Sequence, residues 1–360
     1  KAGVDFAHAH QAKVYVTVNI FAHNVDLEQL ADYLYNLEKI GIDAIIISDP
    51  GVWLIAQEIN SGLDIHISTQ ANVTNWASCA FWEQHGAKRV VLARELSLEE
   101  IKEIRRKTQM ELEVFVHGAM CISYSGRCLL SNYMAERDAN RGDCAQPCRW
   151  NYVLLEEKRP GEYYPIEEDE RGSYIFNSQD LCLLPYLPEL IKAGVNSLKI
   201  EGRMKSIHYV ATVVQAYRQA LDSYYQNPGA YKFNPAWYEE IRKVSHRDYT
   251  SGFLFGKPRG RDHNYETSSY LRTYDFVGLV LDYEPQKGIA TVEQRNNFRV
   301  GDILEFSGPR TPLFTQELTG MVNEEGMEIV VAPYPRQIVR IPVNKAVRKW
   351  DLVRRAKDGE

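Results

Sequence analysis

Residues 14–47 read VYVTVNIFAHNVDLEQLADYLYNLEKIGIDAIII, and this stretch decides the fold. It opens on a β-branched apolar run, Val14–Val18, passes through an amphipathic segment, Leu27–Ile40, and closes on a second apolar run, Ala44–Ile47. Runs that are apolar almost throughout are strands covered on both faces, and a helix between two of them makes a parallel β–α–β unit. The rhythm continues through Ile65–Ser68, Arg89–Leu92, Leu112–Val116, Tyr174–Phe176 and Ser197–Ile200, with Leu98–Lys107 as a further helix. Seven such strands predict an α/β, TIM-barrel-like (β/α)8 domain that is one strand short. The chain opens on a helix-like segment, Ala2–Gln11, and Lys1 is not an initiator Met, so the first strand is expected before Lys1. A targeting peptide upstream stays open.

Polar residues follow the apolar runs directly: Asn19, Asp49, Ser68, Gln70, Arg94, His117, Asn177 and Glu201. In a barrel enzyme the carboxyl ends of the strands carry the site, so these residues mark its expected position, with strand termination as the plain alternative. Residues 156–170 break the rhythm with seven acids against two bases and read as a solvated hairpin. Residues 226–269 form a bridge with one helix, Pro235–Val244. From about residue 270 short alternating runs (Phe276–Asp282, Gly288–Glu293, Asp302–Phe306, Glu328–Val331, Val339–Ile341) predict a small C-terminal β-barrel over 270–360. The expected domains are therefore 1–225, the bridge and 270–360.

Composition narrows the function. The 360 residues carry a net charge of −6 and 11% aromatics, which excludes a disordered chain and a uniformly basic nucleic-acid binder. No apolar run approaches the ~20 residues that span a bilayer, so no membrane partner and a cytoplasmic location are expected. Six cysteines are too few for a disulfide scaffold, but four of them, Cys121, Cys128, Cys144 and Cys148, fall within 28 residues. Soft thiolates select zinc or iron–sulfur clusters, and the wide C-x6-C-x15-C-x3-C spacing favours iron–sulfur over a zinc ribbon. Cys182 is the alternative fourth ligand, and Cys79, among aromatics, reads as a buried thiol. Residues 331–360 hold eight Lys/Arg against three acids, and Arg242–Asp262 six bases against two acids with aromatics interleaved. Such patches can track a phosphate backbone and stack bases, or simply be solvated.

The stretch Glu113-Val-Phe-Val-His-Gly-Ala-Met-Cys-Ile-Ser-Tyr-Ser-Gly-Arg-Cys-Leu-Leu-Ser131 resembles the diagnostic motif of the collagenase-like peptidase family, peptidase family U thirty-two. The flanking segments agree: Arg137–Trp150, Phe176–Cys182, Leu198–Ser206 and Ser245–Gly256. The resemblance covers nearly the whole chain and is nearest to the family's tRNA hydroxylation branch. It implies formation of 5-hydroxyuridine at the tRNA wobble position, with prephenate as cofactor or precursor. Family relatives hold a four-iron four-sulfur cluster with cysteines of this region, and a related subunit of the family is a further implied partner.

Roles follow from that expectation. Cys121, Cys128, Cys144 and Cys148 are the metal ligands, since ring hydroxylation is redox chemistry that needs a cofactor. His117 and Glu201 are the proton-handling candidates. A dicarboxylate such as prephenate calls for guanidinium forks, so Arg203, Lys205, Arg127 and Arg141 are the substrate-binding candidates. Arg348, Lys349, Arg354 and Arg355, with residues 242–261, are the expected track for the tRNA anticodon region. Two alternatives stand beside this: a metal-dependent or thiol peptidase pairing Cys121 with His117, and an RNA-binding accessory subunit with a structural cluster. Neither H-E-x-x-H nor G-x-S-x-G occurs, which weakens hydrolysis.

Overall fold

The computed structural model describes residues 1–59, 62–121, 123–124, 127–150, 153–155, 163–165, 179–256 and 272–357. Five parallel strands, β1 Tyr15–Val18, β2 Ala44–Ile47, β3 Asp64–Ile67, β4 Arg89–Val91 and β5 Glu111–Ala119, stand side by side in chain order. The helices α1 Ala2–Ala9, α2 Asn24–Leu27, α3 Leu30–Ile40, α4 Pro50–Glu58, α5 Trp76–Gln84 and α6 Leu98–Lys107 precede or connect them. All of β2 is buried, with Ile45 and Ile47 fully so, as its unbroken apolar run requires. In α3 the buried Leu30, Leu34 and Leu37 recur at i, i+4 and i+7, making the stripe that faces the sheet. Gly41, at φ 85°, closes that helix by donating to the carbonyls of Leu37 and Glu38. The helix expected over Leu27–Ile40 is two helices, because Gln29 leaves helical geometry at φ −114°, ψ 10°.

Next along the chain come α7 Leu130–Ala135, the antiparallel pair β6 Val153–Leu155 and β7 Tyr163–Pro165, β8 Asp180–Cys182, α8 Leu187–Lys192 and β9 Ser197–Ile200. After them lie α9 Ile207–Gln226, α10 Pro235–Arg242 and β10 Tyr249–Thr250. Strand β9 pairs with β5 in parallel, from Glu113↔Ser197 to His117↔Ile200. Strand β8 runs antiparallel to the end of the same strand, His117↔Cys182, and β10 continues outward parallel to β8. Thus six of the seven expected parallel strands are present. The seventh, Tyr174–Phe176, lies outside the described residues, and β9 takes the place directly beside β5.

Contacts divide the chain into two compact units at places other than the expected boundaries. The first holds Lys1–Glu201 and the segment from Asp248, and the second holds Gly202–Arg247 with the C-terminal strands. Helix α9, expected with the parallel sheet, therefore belongs to the second unit, and β10 belongs to the first rather than to a bridge.

A buried carboxylate of the first unit is held in an ion and hydrogen-bond cluster. Glu113 on β5, 6% exposed, accepts from Lys199 Nζ at 2.9 Å, Ser197 Oγ at 2.8 Å and Arg89 at 3.3 Å. Burial alone would raise its carboxyl, but the Lys199 charge and these hydrogen bonds hold it below the usual range. Arg89 also grips Glu111 and lies 5.5 Å from the ring centroid of Tyr15. The buried His66 meets Tyr15 edge-on at 4.7 Å. Cys79 is fully buried on α5, and burial pushes its thiol up to about 12, as expected of an inert core thiol.

The second unit is an antiparallel sheet with α9 and α10. Its strands are β11 Tyr274–Glu284, β12 Ile289–Gln294, β13 Phe298–Arg299, β14 Ile303–Gly308, β15 Thr311–Glu317, β16 Val331–Ala332, β17 Ile338–Pro342 and β18 Leu352–Ala356. Six of them form one sheet in the order β15-β14-β18-β11-β12-β17, and β13 pairs with β16. The core is apolar: Val280, Val292, Phe298, Leu304, Phe306, Val339, Ile341 and Val353 are fully buried. Strands β15 and β18 escaped the sequence reading, and β18, within the supposed basic tail, is central to the sheet. Among the described residues no helix is long and apolar enough to cross a membrane.

Two histidines are buried in the neutral form. His66 in the first unit and His208 on α9, stacked on Phe276 at 5.4 Å, are both lowered from 6.5 to about 4, chiefly by burial. Between these values the unfolded chain binds more protons than the folded one, so stability falls as pH falls from 6.5 to about 4. Urea midpoints should drop across that window, and His208→Gln should shrink the drop. A midpoint independent of pH there would contradict the assignment.

Candidate metal centre at the end of β5

Strand β5 carries the motif, and its last residues explain the His-Gly pair. His117 is 1% exposed, in register with Cys182 on one side and Ile200 on the other, and its ring lies 5.3 Å from that of Tyr249 on β10. Gly118 sits at φ 119°, where a side chain is strained, and a Cβ there would come within 2.8 Å of the Glu201 Cβ and carbonyl oxygen. Glu201 donates its N–H to the His117 carbonyl at 2.9 Å. The two proton-handling candidates, His117 and Glu201, thus meet where β9 ends against β5. Of the other polar strand ends, Asp49 caps α4 by accepting from Gly51 and Val52, Asn19 donates to Ser68 Oγ at 2.9 Å, and Asn177 is outside the described residues.

Cys121 follows two residues after β5. Loss of water around its sulfur raises the thiol, a hydrogen bond from the Ser123 backbone and the Arg94 charge oppose the rise, and Cys128 and Cys144 add to it. Cys121 therefore lies within electrostatic reach of two of the other expected ligands. Cys144 accepts the N–H of Gln146 at its sulfur, 3.3 Å away, so two thiols each receive a backbone donor from two residues further on. Such N–H···S bonds stabilise thiolate and tune bound metal. Cys148 stands on the 3-10 turn Pro147–Arg149, and Cys182 is buried within β8. Among the described residues, no group of three or more His, Cys, Asp or Glu is arrayed around a metal position. The donor type, four thiols on one stretch of chain, fits a thiolate-held group.

The loop is clamped at several points. Ser131, the last residue of the motif, is fully buried on α7, and its hydroxyl accepts the N–H of Ala145 at 2.9 Å, fixing the chain beside Cys144. Asn140 Oδ1 accepts the N–H of Phe21 at 2.7 Å, and Arg127 lies 5.2 Å from the Phe21 ring centroid. Arg141 places both terminal nitrogens on Asp26, at 3.1 and 2.8 Å. Its guanidinium, foremost, with the His23 backbone holds the Asp26 carboxyl below its ordinary value. The loop therefore reaches from β5 to the connection after β1. Arg141 was expected to bind a dicarboxylate; its fork is already engaged by Asp26, so that assignment is withdrawn. Arg94, not singled out for a role from sequence, is held at the same edge: it stacks 3.9 Å over the Phe115 ring and donates to the Ala119 carbonyl at 3.0 Å.

The remaining candidates fall in the second unit. Arg203 is exposed, and Lys205 Nζ lies 4.9 Å from the Tyr209 ring centroid. Arg348 and Lys349 are exposed. Arg354 is not: it is 0% exposed, bonded to Glu305 and, at 2.5 Å, to Glu240. A residue in the middle strand of a sheet cannot reach a tRNA phosphate, so its RNA-binding role is overturned. Arg355 is largely engaged by Asp302 at 2.5 Å and Asp275 at 3.6 Å. In the described part of the track expected over 242–261, Arg242 is exposed, Arg247 is buried, and Lys243 pairs with Glu240 and Glu305.

Residues 1–264 match peptidase family U32, and residues 272–354 match the peptidase family U32 C-terminal domain. The chain belongs to peptidase family U32. Among its relatives in that family, tRNA hydroxylation protein P1 of Bacillus subtilis is 42% identical, covering 99% of this chain and 84% of the relative. The tRNA hydroxylation protein P of Escherichia coli is 39% identical, covering 95% of this chain and 83% of its own. The solved C-terminal domain of a U32 protein from Geobacillus thermoleovorans is 43% identical over 23% of this chain and 93% of that one, with a TM-score of 0.22.

Two substitutions test this geometry. Gly118→Ala should cost about 1–3 kcal/mol in urea unfolding through backbone strain, and Glu201 must move; an unchanged midpoint would contradict the close approach. Arg354→Ala should cost about 3–5 kcal/mol, because it strands Glu305 and Glu240 without their cation. A neutral effect on unfolding would return Arg354 to the surface.

Proposed function

We propose that this U32 chain hydroxylates tRNA, converting the wobble uridine to 5-hydroxyuridine with an iron–sulfur cluster and prephenate. The tRNA hydroxylation proteins at 42% and 39% identity over almost the whole chain support the reaction. The cofactor reading is supported by four cysteines within 28 residues after β5, with Cys121 in electrostatic reach of Cys128 and Cys144. In this reading Cys148 is the fourth ligand and Cys182 stays in β8. When bound, the cluster supplies the electron transfer that side chains cannot perform. Cytoplasmic tRNA is the substrate, and the parallel strands close into a TIM-barrel-like layer with a small β-barrel after it.

The chain's own residues then divide the work. The Ser131, Asn140 and Arg141 contacts hold the cysteine loop over the strand ends. His117 holds a proton beside the reacting base, and Glu201 accepts one, each fixed by β5–β9 pairing. Arg203 and Lys205 are the proposed partners for the carboxylates of prephenate, and Arg127 is a further candidate cation. Arg348 and Lys349 take tRNA phosphates. The peptidase reading draws less support, because neither H-E-x-x-H nor G-x-S-x-G occurs in the chain.

Mass analysis of tRNA from cells lacking the protein tests the reaction. Wobble hydroxylation should disappear, return with the wild-type chain and fail to return with Cys128→Ala. Anaerobically purified wild type should carry iron and acid-labile sulfide, and Cys128→Ala should lose both. Intact hydroxylation in the deletion strain would refute the activity, and zinc in place of iron would refute the cofactor.

A further inference from the structure

The loop between β17 and β18, residues 343–351, holds an unusual tryptophan. Trp350 has φ 77°, a left-handed conformation that a bulky residue rarely adopts and that glycine or asparagine would fill without strain. The backbone leaves no freedom to relax it. Trp350 donates its N–H to the Val280 carbonyl at 2.7 Å, and Val280 donates in turn to the Asp351 carbonyl at 2.9 Å. The Asp351 carboxylate accepts the N–H of Arg348 at 2.7 Å, and Val343 and Val347 anchor the rest of the loop in the core. Despite this rigid support the indole does not pack inward: the residue is 54% exposed.

Its surroundings share one charge. Lys345, Arg348 and Lys349 are exposed in the same loop, and Lys349 Nζ lies 5.0 Å from the centroid of the Trp350 ring. The loop's single acid, Asp351, is 2% exposed and occupied internally. Asp351 also packs on Gly308, where a Cβ would meet its Oδ1 at 1.8 Å. The Pro309–Arg310 turn that follows is exposed, which brings a further cation to this edge. Other exposed tryptophans, Trp76 among them at 42%, lie on ordinary backbone. A chain with a net charge of −6 thus presents an exposed indole on a strained stem, with Lys345, Arg348 and Lys349 in the same loop.

We propose that Trp350 is a stacking platform for an unpaired base of the RNA substrate, with Lys349, Arg348 and Arg310 on the flanking phosphates. This assignment rests on the tRNA reading and names a contact within it. Stacking on a tryptophan face tolerates any base, and cations of the same loop can follow the backbone that leads to it. The left-handed φ gives the side chain its outward aim, as strain at a functional position does elsewhere.

Binding of the full chain to unmodified tRNA and to a single-stranded oligouridylate, across a salt series, tests this. Trp350→Ala should weaken both about tenfold with an unchanged salt slope, and Trp350→Phe should keep most of the affinity. Lys349→Ala should instead lower the salt slope by about 1. Trp350→Gly relieves the backbone, so it should raise the melting temperature while still losing affinity, which separates a binding role from a folding one. Wild-type affinity in Trp350→Ala and Trp350→Gly would overturn the platform and leave the tRNA reading standing. Equal losses on duplex RNA would overturn stacking, and a wild-type chain that binds no tRNA would overturn both readings.

Discussion

Strand β5 has two edges, and three strands share them along its length. Its first residues pair with β4, its middle with β9, and its last three with the antiparallel β8. Such sharing demands that backbone approach backbone closely at the exit, and only a residue without Cβ allows it, at Gly118 against Glu201. The rest of the first unit depends on that approach. It places His117 between β8 and β9, sets Glu201 beside it, and launches the cysteine loop from a fixed point. Lower on the strand, Glu113 holds Lys199, Ser197 and Arg89 from β9 and β4. The same strand therefore carries both the buried ion cluster and the candidate chemistry.

The cysteine loop is a long irregular segment whose order comes from side chains. Ser131 secures the backbone next to Cys144 from within, while Asn140 and Arg141 secure its far side to the chain after β1. These contacts hold thiols near one another, which is unfavourable once they ionise unless cations or a metal offset the charge. Arg94 and the backbone donors from Ser123 and Gln146 supply part of that offset. A thiolate-bound metal would supply the remainder, and that is the physical reason to read the cluster as a ligand set rather than as inert thiols such as Cys79.

The second unit shows why local charge counts mislead. Eight Lys/Arg in the last thirty residues look like one basic surface. Alternation along β18 and its central place in the sheet send Arg354 inward, where Glu240 of α10 and Glu305 of β14 neutralise it. Arg355 turns outward but meets Asp302 and Asp275. The loop before the strand remains available, because a loop between sheet strands faces solvent. In the last thirty residues the exposed cations are thus Arg336, Arg340, Lys345, Arg348, Lys349 and Lys357, a smaller set than composition suggested.

Period and motif alone determined much of this protein. The apolar runs fixed β1 to β5 and β9 as parallel strands, the helical stripe fixed α3 and α6, and the Cys121–Cys148 spacing with the His117–Gly118 motif named the candidate site. These are legible because they depend on neighbours within a few residues. Tertiary structure decided the rest: that β18 is a middle strand, that α9 leaves the parallel-sheet unit, that Arg141 belongs to Asp26, and that β8 and β10 wall His117 with Tyr249. Each depends on a partner from about 35 to more than 130 residues away, and sequence order carries no record of which distant charge or strand a side chain will meet.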